Sequence, residues 1–595
     1  MSKFLLCSTE RSFNNNIESS LENNFSICTK SKSKGYFHVS YEKLNNDKKD
    51  YFSSELGKVS SVGSFIYRNQ TGSDGLKNVL IDFLSHKSIA ELKSNIIGNY
   101  SITIELENEF YCFCDGNDIF DLFYFLDKGN WAISNNLNDV VAAIDGKVEA
   151  NKNAILEMVI QNGILDNQTI FNSIFRLKGY EYLYFSHEIK VPLVLEHENI
   201  YFDIEEYKDL DYTEVVTKQC TDMAKIISSS YKNVSVCMTG GLDSRIALSS
   251  YLSAGVTPSL FYGVGDSSLT NTKMRDLEIV KLVQDEFDLN LKVMDWSADI
   301  DIDNSWGRLI EKFGLLGSVY SGIPNVHKSL SEFDGDNLVD FGYFGEPLRN
   351  VESLSGFKKD IFTLEQFIDD IYLDKNAKVS LTQLEFEEFR EYLYQKAKGV
   401  CVRYNLDTEH LSKDDFCKIH NEYRKSADTA LVNMMNYYCY SINLLSLPQI
   451  ETMIKQIPAK EKANSSLMLK VVNRLDPKLL KLPIFSHCRN NIFCSKTYTL
   501  KLAKPEAFKE KLKNYIYKIG LHRTLKELYS KVRTSKNETP DKNGKIKEKL
   551  VDMYNSNPYN FCDIDVFKGA DVRKLSKYNY LIRMIEKHNS TTKDY

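Results

Sequence analysis

The sequence contains no long apolar run. The longest apolar stretch near its start is residues 4–7, far too short for the apolar region of a signal peptide. No run elsewhere approaches the roughly 20 apolar residues that cross a bilayer. We therefore predict neither a secretion signal nor a membrane span, and we expect a cytoplasmic protein.

The cysteines lack the spacing of a metal or redox site. None of the 12 forms a CxxC pair, and none has a histidine nearby at metal-ligand spacing. Cys112 and Cys114 are one residue apart on an alternating segment, so their side chains share a face. We interpret the cysteines as buried or half-buried free thiols, with redox or metal roles as the alternative, and this favours a reducing compartment.

An excess of positive charge is also missing. The formal net charge of −6 is close to neutral for 595 residues, which argues against a nucleic-acid-binding protein as a whole but leaves local patches open. The content of 43% hydrophobic and 26% charged residues is ordinary for a soluble globular protein. Because the chain is too long for one hydrophobic core, we expect several domains.

We predict three parts, residues 1–200, 201–500 and 501–595. In the first part, alternating segments at 101–106 and 109–115 predict a sheet-rich domain with short helices. The last part is dense in lysine and predicted to be helical. We interpret its basic face as solvated, with contact to RNA or to an acidic carrier as the alternative.

The second part has the pattern of a parallel sheet covered by helices. Short apolar strands alternate with amphipathic helices, and beyond residue 362 the pattern is almost entirely helical. This order predicts a doubly wound α/β domain with a helical C-terminal region. The predicted strands are 234–238, 259–264, 291–295 and 337–341, and the predicted helices are 212–230, 244–253 and 274–288.

The segment VSVCMTGGLDSR joins the first of these strands to its helix. Gly240 and Gly241 permit a tight turn. The N–H groups of the turn and of the first helical turn, together with the helix dipole, favour an anionic pyrophosphate. Thr239 and Ser244 add hydroxyl donors, and Arg245 adds a cation. The alternative is a buried helix with an Asp-Ser cap and two turn glycines.

Asp243 is the unexpected residue of this loop. Its carboxylate would repel a triphosphate unless a divalent cation lies between them, so we predict that Asp243 is a Mg²⁺ ligand. The alternative is a cap that fixes the loop. The loop lacks the lysine and the spacing of GxxxxGK[ST] and is therefore not a Walker P-loop.

The sequence Thr-Gly-Gly-Leu-Asp-Ser resembles the SGGxDS loop of ATP pyrophosphatases (the PP-loop). The surrounding chain, from about residue 98 to 483, resembles the asparagine-synthetase superfamily, which includes asparagine synthetase, β-lactam synthetase and lasso-peptide cyclases. Asp276 and Glu278 resemble an acidic pair of that family, with a solvated helix face as the alternative. The resemblance implies that ATP is held by Met238, Thr239, Gly240, Gly241, Asp243, Ser244 and Gly342, with adenine near Tyr262 and Gly263.

After the fourth predicted strand, the segment FGYFGE stands where asparagine synthetases read SGEGSDE. Tyr343 occupies the position of the glutamate that assists deprotonation of the amine, and Glu346 matches the aspartate. As in β-lactam synthetase, the resemblance implies that Tyr343 is the base, and a tyrosine needs a carboxylate or lysine partner for that role. Simple filling of the groove by Tyr343 is the alternative. The candidate partners, among which the sequence does not choose, are Glu385, Glu387 and Glu388.

The catalytic lysine of the superfamily is missing. Phe485 aligns with its position. Because adenylation needs a cation near the α-phosphate, we expect Lys481, Arg489 or Arg245 to replace it.

The motifs GNYS, CDGNDIFDLFYF, WAISN and TIFNSI, in this order, resemble the glutaminase-type (Ntn) sandwich that precedes the synthetase domain in this family. An active glutaminase requires a cysteine directly after the initiator methionine. Here Ser2 follows Met1, and Cys7 is not terminal. We predict a glutaminase-like domain without glutaminase activity, with a Ser2 nucleophile as the alternative.

The resemblance implies an AMP-forming ligase that uses ATP and Mg²⁺. A small-molecule or peptide carboxylate would be adenylated and then attacked by an amine; a homodimer is left open. One alternative is a PP-loop enzyme acting on RNA, against which stand the near-neutral charge and the missing cysteine pair. The other alternative is a non-catalytic descendant that binds a nucleotide or a partner, suggested by the missing lysine.

Overall fold

The computed structural model describes the chain except for residues 47–48, 145–146, 198–210, 266–269, 300, 315–321, 350–360, 374–380, 487–490, 494–541, 562–571 and 592–595. The first part contains two six-stranded antiparallel sheets, of order β10-β8-β9-β1-β3-β2 and β12-β11-β7-β6-β5-β4. Their strands are β1 Lys3–Cys7, β2 Ile27–Ser33, β3 Tyr36–Tyr41, β4 Tyr51–Ser54, β5 Gly57–Tyr67, β6 Ile96–Glu105, β7 Glu109–Cys114, β8 Phe123–Asp127, β9 Asn130–Ser134, β10 Phe175–Arg176, β11 Glu181–Ser186 and β12 Leu193–Glu196.

The two sheets pack face to face, with helices on their outer faces. Phe4 and Trp131 of one sheet share an apolar cluster with Phe110 and Phe185 of the other. The sheet-rich first part is therefore confirmed, while its kinship with glutaminases stays a prediction. Its helices are Glu10–Glu22, Gly72–His86, Ile89–Asn95, Leu137–Ala142 and Lys152–Gln161.

Next comes a five-stranded sheet that is parallel throughout, of order β15-β14-β13-β16-β19. Its strands are β13 Asn233–Cys237, β14 Ser259–Val264, β15 Leu291–Asp295, β16 Asn337–Asp340 and β19 Tyr440–Ser441. The helix Tyr212–Ser230 precedes β13, and the strands from β13 to β16 are connected by the helices Leu242–Ser253, Thr270–Phe287, Ile302–Phe313 and Ile323–Leu330. The predicted α/β pattern is confirmed, and β19 is a strand that it did not contain.

This sheet changes direction of growth between β13 and β16. From β13 the chain adds β14 and β15 on one side and then crosses to add β16 and β19 on the other side. In open α/β sheets such a switch point leaves a crevice beyond the carboxyl ends of the strands, where ligands bind. The loops that follow β13 and β16 are the two segments that the sequence singled out.

The rest of the described chain is mainly helical. The pair β17 Ile361–Phe362 and β18 Leu411–Ser412 and the hairpin β20 Ile484–Ser486 and β21 Asn491–Phe493 are its short sheets. Its helices are Leu364–Phe367 with a π-helical continuation Ile368–Tyr372, Gln383–Arg403, Lys413–Asp428, Ala430–Tyr438, Pro448–Gln456, Ala459–Lys462, Ser466–Leu475, Lys478–Lys481, Lys542–Ser556 and Val572–Thr591. Short 3-10 turns are Glu346–Leu348, Leu444–Ser446 and Ala463–Ser465.

The final helix is not a solvated surface element. Tyr578, Leu581 and Ile582 are buried in the main apolar cluster, and Tyr580 meets the buried Trp306 edge to face with ring centroids 5.8 Å apart. Most of the lysine-rich segment before it, at 501–541, lies outside the described residues. The prediction of a solvated basic face therefore remains a prediction for that segment.

The nine cysteines among the described residues are free thiols that are buried or half-buried, as predicted. Cys112 and Cys114 are buried and free, and burial raises the pKa of the Cys112 thiol to about 12. The described residues contain no group of three or more metal-ligating side chains. Within the same residues, no helix combines the length and the apolar character needed to cross a membrane.

A buried carboxylate joins the first part to the helical region. Glu157 is 0% exposed and accepts the Lys396 ammonium at 2.7 Å and the Tyr372 hydroxyl at 2.5 Å. It also accepts the Leu165 N–H at 2.7 Å and the Tyr392 hydroxyl at 3.2 Å. A carboxylate this deep is stable only when its acceptor sites are filled.

We expect Lys396→Met to destabilise the protein by about 3–5 kcal/mol, because it leaves the charge of Glu157 buried without its cation. The midpoint of denaturant-induced unfolding measures the effect. Lys398→Met is the matched control, since Lys398 is exposed on the same helix and should change stability by less than about 0.5 kcal/mol. Equal midpoints for the two variants would contradict this account of Glu157.

Candidate functional site

The loop after β13 lies at the switch point and is closed by its own side chains. Met238 is buried, and its N–H donates to the Phe261 carbonyl at 3.0 Å, which continues the strand pairing into the loop. The Thr239 N–H donates to the Ser244 hydroxyl at 3.1 Å, and the Gly241 N–H donates to the Thr239 hydroxyl at 3.2 Å. The two hydroxyls were predicted as phosphate donors, but in this structure they bond within the loop.

A second contact holds the loop to the neighbouring strand. The Gly240 N–H donates to the Asp276 carboxylate at 2.6 Å, and the Tyr262 hydroxyl donates to the other oxygen of Asp276 at 3.1 Å. Asp276 is 0% exposed, so the solvated-face alternative is wrong for it. Glu278, the other predicted acidic residue, is half-buried.

Asp243 lies in the first turn of the helix Leu242–Ser253, beside the loop after β16. Its carboxylate accepts the Gly345 N–H at 3.2 Å. Burial raises the pKa of Asp243 to about 6; the Arg349 guanidinium acts to lower it, and the Glu346 carboxylate acts to raise it. Arg349 donates to Glu346 at 3.2 Å. Two carboxylates and one cation are thus grouped at the N-terminus of this helix.

Gly345 permits this grouping without displacement of the Asp243 side chain. A Cβ at Gly345 would stand 2.5 Å from the Asp243 carboxyl carbon, closer than any contact that side chains tolerate. Glycine at 342 is required for two reasons, a φ of +62° and a built Cβ 2.6 Å from the Cys237 carbonyl oxygen. The two glycines let the loop after β16 lie directly against the loop after β13.

A buried carboxylate fixes the loop after β16, which we call the second loop. Asp340, the last residue of β16, accepts the Gly342 N–H at 2.8 Å, the Leu444 N–H at 3.1 Å and the Tyr251 hydroxyl at 3.2 Å. It is 0% exposed, and burial raises its pKa to about 6. Asp340 therefore joins β16, the segment after β19 and the helix Leu242–Ser253.

Tyr343 has an environment that opposes the predicted role of base. Its hydroxyl donates to the backbone carbonyl of Asp428 at 2.7 Å. Burial, and then the Asp428 carboxylate, hold its pKa well above the usual value, so the phenol stays protonated. The candidate partners lie elsewhere: Glu385 accepts the Thr382 N–H at its own helix start, Glu387 accepts from Gln383, and Glu388 is exposed on that helix.

Arg245 points away from the loop that precedes it. Its guanidinium donates to the carbonyls of Leu479 and Pro483, and burial lowers its pKa to about 10. It thereby anchors the chain that leads into β20. Of the other cations proposed to replace the missing lysine, Lys481 is exposed and Arg489 lies outside the described residues. For Phe485, only the backbone is described, in β20.

Gly263 lies under an indole ring. A Cβ at Gly263 would stand 2.2 Å from a ring carbon of Trp296, so the space above this glycine, predicted for adenine, is filled by Trp296. Trp296 directly follows β15, and its N–H donates to the Val264 carbonyl at 2.7 Å.

The first residues of the chain do not form a nucleophilic centre. The Ser2 hydroxyl donates to the Glu42 carbonyl at 2.6 Å and is fully buried. Cys7 is buried in β1, and burial raises its pKa to about 12. Neither side chain has the activation that a nucleophile needs.

Sequence reasoning missed Arg349, Asp340 and Trp296. Arg349 stands outside the FGYFGE segment, and nothing in the sequence pairs it with Asp243. Asp340 reads as the polar end of an apolar strand, although a carboxylate at a strand end beside a switch point is a usable signal. Trp296 also follows a strand of the same sheet directly, and the same rule would have selected it.

No protein-family model matches the chain, and no curated protein matches it. Among solved structures, it is similar to glutamine phosphoribosylpyrophosphate amidotransferase from B. subtilis, complexed with ADP and GMP, at 11% identity and a TM-score of 0.23, over 50% of this chain and 81% of that one. It is also similar to NMN synthetase from Francisella tularensis, at 10% identity and a TM-score of 0.17, over 50% of this chain and all of that one. A third is glutamine-dependent NAD+ synthetase from Acinetobacter baumannii in complex with ADP, at 12% identity and a TM-score of 0.17, over 33% and 42%. At these TM-scores the likenesses carry no argument, and the case for function rests on the site.

For Mg·ATP, the ligand that the sequence predicts, we expect Gly345→Ala to weaken binding by roughly 10-fold or more, because the added Cβ displaces the Asp243 carboxylate and breaks its bond to the N–H at 345. Isothermal titration calorimetry measures the affinity. Gly399→Ala is the matched control, since a Cβ there meets nothing within 4 Å. Full affinity in Gly345→Ala would mean that the position of Asp243 does not matter for the ligand.

Proposed function

We propose that the protein is an ATP-dependent, AMP-forming ligase that adenylates a carboxylate for attack by an amine. The observation that carries the proposal is the convergence of two strand-end loops at the switch point of a parallel sheet. There the Asp243 carboxylate, at a helix N-terminus, lies beside Glu346 and Arg349. This arrangement combines sites for a phosphate chain and for a cation.

The donor set fits Mg²⁺. Magnesium in nucleotide sites takes one or two carboxylates and completes its octahedron with phosphate oxygens and water. Asp243 and Glu346 supply two carboxylates close enough to influence each other's ionisation. Bound Mg²⁺ would neutralise charge on the phosphates. The raised pKa of Asp243 reflects a buried carboxyl that such a cation would stabilise in its ionised form.

In the first proposed step, an oxygen of the substrate carboxylate attacks the α-phosphorus of ATP. The bond from that phosphorus to the bridging oxygen breaks, and pyrophosphate leaves with the electron pair. In the second step, an amine attacks the acyl carbon, loses a proton, and AMP leaves. We assign to Arg349 the stabilisation of the departing negative charge, because it is the cation found beside Asp243 in the described part of the chain.

Tyr343 has a different part in this proposal from the one that the sequence suggested. A phenol with a raised pKa that donates to a carbonyl is a poor proton acceptor. We propose that Tyr343 ties the end of the helix Lys413–Asp428 to the second loop. The proton that the amine loses therefore passes to an acceptor other than Tyr343.

One observation favours a second candidate function, a nucleotide-binding protein that does not adenylate. The Gly240 N–H, which a pyrophosphate would use, is bonded to Asp276. Exchange of labelled pyrophosphate into ATP, measured with a panel of carboxylic acids, separates the two. Exchange supports the ligase, and ATP binding without exchange for any acid supports the second candidate.

We expect Asp243→Asn to lower the rate of pyrophosphate exchange about 10²–10³-fold, because the neutral amide binds Mg²⁺ poorly. In the wild type, Mg·ATP affinity should fall as the pH falls through about 6, where the Asp243 carboxyl takes up a proton. The variant should lose that part of the pH dependence and keep the part due to Asp340. Asp211→Asn, at the cap of another helix, is the control. An identical pH profile in wild type and Asp243→Asn would contradict the assignment.

We expect Arg349→Met to slow pyrophosphate exchange about 10²-fold or more while AMP affinity stays within about 3-fold, because the guanidinium acts on charge that AMP does not carry. Arg349→Lys should recover part of the rate. Arg474→Met, which removes a surface arginine bonded to Glu214 at 3.1 Å, is the control. A different result would contradict this role: Arg349→Met weakens the binding of AMP and pyrophosphate as much as it slows exchange, and Arg349→Lys does neither. Arg349 would then contribute to ground-state binding and not specifically to the transition state.

A further inference from the structure

Trp296 is held at the carboxyl end of the parallel sheet before any ligand arrives. Its N–H donates to the Val264 carbonyl at 2.7 Å. The next N–H, of Ser297, donates to the Asp295 carboxylate at 2.9 Å, and the Asn325 amide donates to the Ser297 carbonyl at 2.7 Å. These bonds fix the backbone on both sides of the indole.

One face of the indole rests on a bare backbone. Gly263 has no side chain to separate β14 from the ring, and a Cβ there would stand 2.2–2.6 Å from three of the ring carbons. The side chain is only partly buried, whereas Trp131 and Trp306 are 0% exposed. Its Nε1 is buried and has no hydrogen-bond partner among the described residues. The indole thus has one face supported by the backbone and a part that remains accessible.

The distance from the phosphate-binding loop suits a nucleoside. Trp296 follows β15, and the loop follows β13, so two strand spacings, about 10 Å, separate them. Asp276 spans the intervening strand by bonding Gly240 and Tyr262, the neighbour of Gly263. If the phosphates of a nucleotide lie on the loop after β13, its nucleoside would cross the end of β14 and reach the indole.

The opposite direction from the loop is already filled. Beyond β16, the Phe341 N–H donates to the Asn443 side chain at 2.8 Å and the Leu444 N–H donates to Asp340 at 3.1 Å. These residues are buried. Since the crevice is closed on that side by protein, a nucleoside attached to the phosphates extends towards β14 and β15.

We propose that Trp296 is a stacking platform for the nucleobase of the bound nucleotide and favours a purine, with Gly263 supporting the far face of the indole. This inference rests on the proposed function only in that a nucleotide binds. Bases stack on aromatic side chains through their π faces, and the larger purine ring covers more of an indole.

The three tryptophans allow a direct test. Trp296 is the tryptophan that a ligand can reach, so Mg·ATP should quench the intrinsic fluorescence of the wild type, and Trp296→Phe should abolish the quenching. In calorimetry, Trp296→Ala should weaken Mg·ATP binding roughly 5- to 150-fold, and Trp296→Phe should weaken it much less. Mg·tripolyphosphate, which has no base, should bind all three proteins equally. Mg·CTP should bind the wild type more weakly than Mg·ATP.

The outcomes separate this inference from the ligase. Equal Mg·ATP affinity in wild type and Trp296→Ala would overturn the platform, whatever the exchange assay gives. Quenching that depends on Trp296, without pyrophosphate exchange, would support the platform and contradict the ligase. Binding of Mg·tripolyphosphate but not of Mg·ATP to the wild type would overturn the platform and leave the phosphate site in place. If neither ligand bound the wild type, both proposals would be overturned.

Discussion

The arrangement of the site depends on one buried carboxylate. Asp340 ends β16 and accepts donors from the loop that follows it, from the segment after β19 and from the helix Leu242–Ser253. An ionised carboxyl without such donors would be very unfavourable at 0% exposure, so the three donors and the carboxyl require one another. Because each donor belongs to a different part of the chain, the carboxyl sets where these parts meet.

One of the two N-terminal sheets reaches this centre through hydrogen bonds. The Asn443 N–H donates to the Asn99 side chain at 3.1 Å, and the Asn443 side chain accepts the Phe341 N–H at 2.8 Å. The Ser441 N–H donates to Ser64 at 2.8 Å. Strands β5 and β6 therefore hold β19 and, through it, the start of the second loop. A first part without its own chemistry would still be needed to shape the site, which gives a structural reason for its presence.

Close packing explains why the two loops tolerate so little change. Gly342 lies against the Cys237 carbonyl and Gly345 against the Asp243 carboxylate, so either loop moves only with the other. The same closeness places the Asp243 and Glu346 carboxylates together without a bulky residue between them. Their mutual repulsion is offset by Arg349, and a bound cation would offset it further.

The sequence by itself determined the local elements and singled out the loop after β13. Apolar periodicity predicted β14, β15 and the helix Tyr212–Ser230 with their observed bounds, because burial of one strand face or helix face is a local property of the chain. The loop after β13 was recognisable because its glycines, its aspartate and its position between strand and helix are adjacent in sequence. Features of this kind depend only on residues that are close together in the sequence.

Only the tertiary structure decided what the remaining side chains face. The pattern assigned Arg245 to the phosphates and Tyr343 to proton transfer, whereas the fold directs Arg245 to the Leu479 and Pro483 carbonyls and Tyr343 to the Asp428 carbonyl. These partners are 85 or more residues away in the chain. The direction of a long side chain, and the pKa of a buried group, depend on which distant backbone packs beside it. Which distant segment lies beside a given side chain depends on how whole layers of the fold pack together. A local sequence pattern carries no information on that packing.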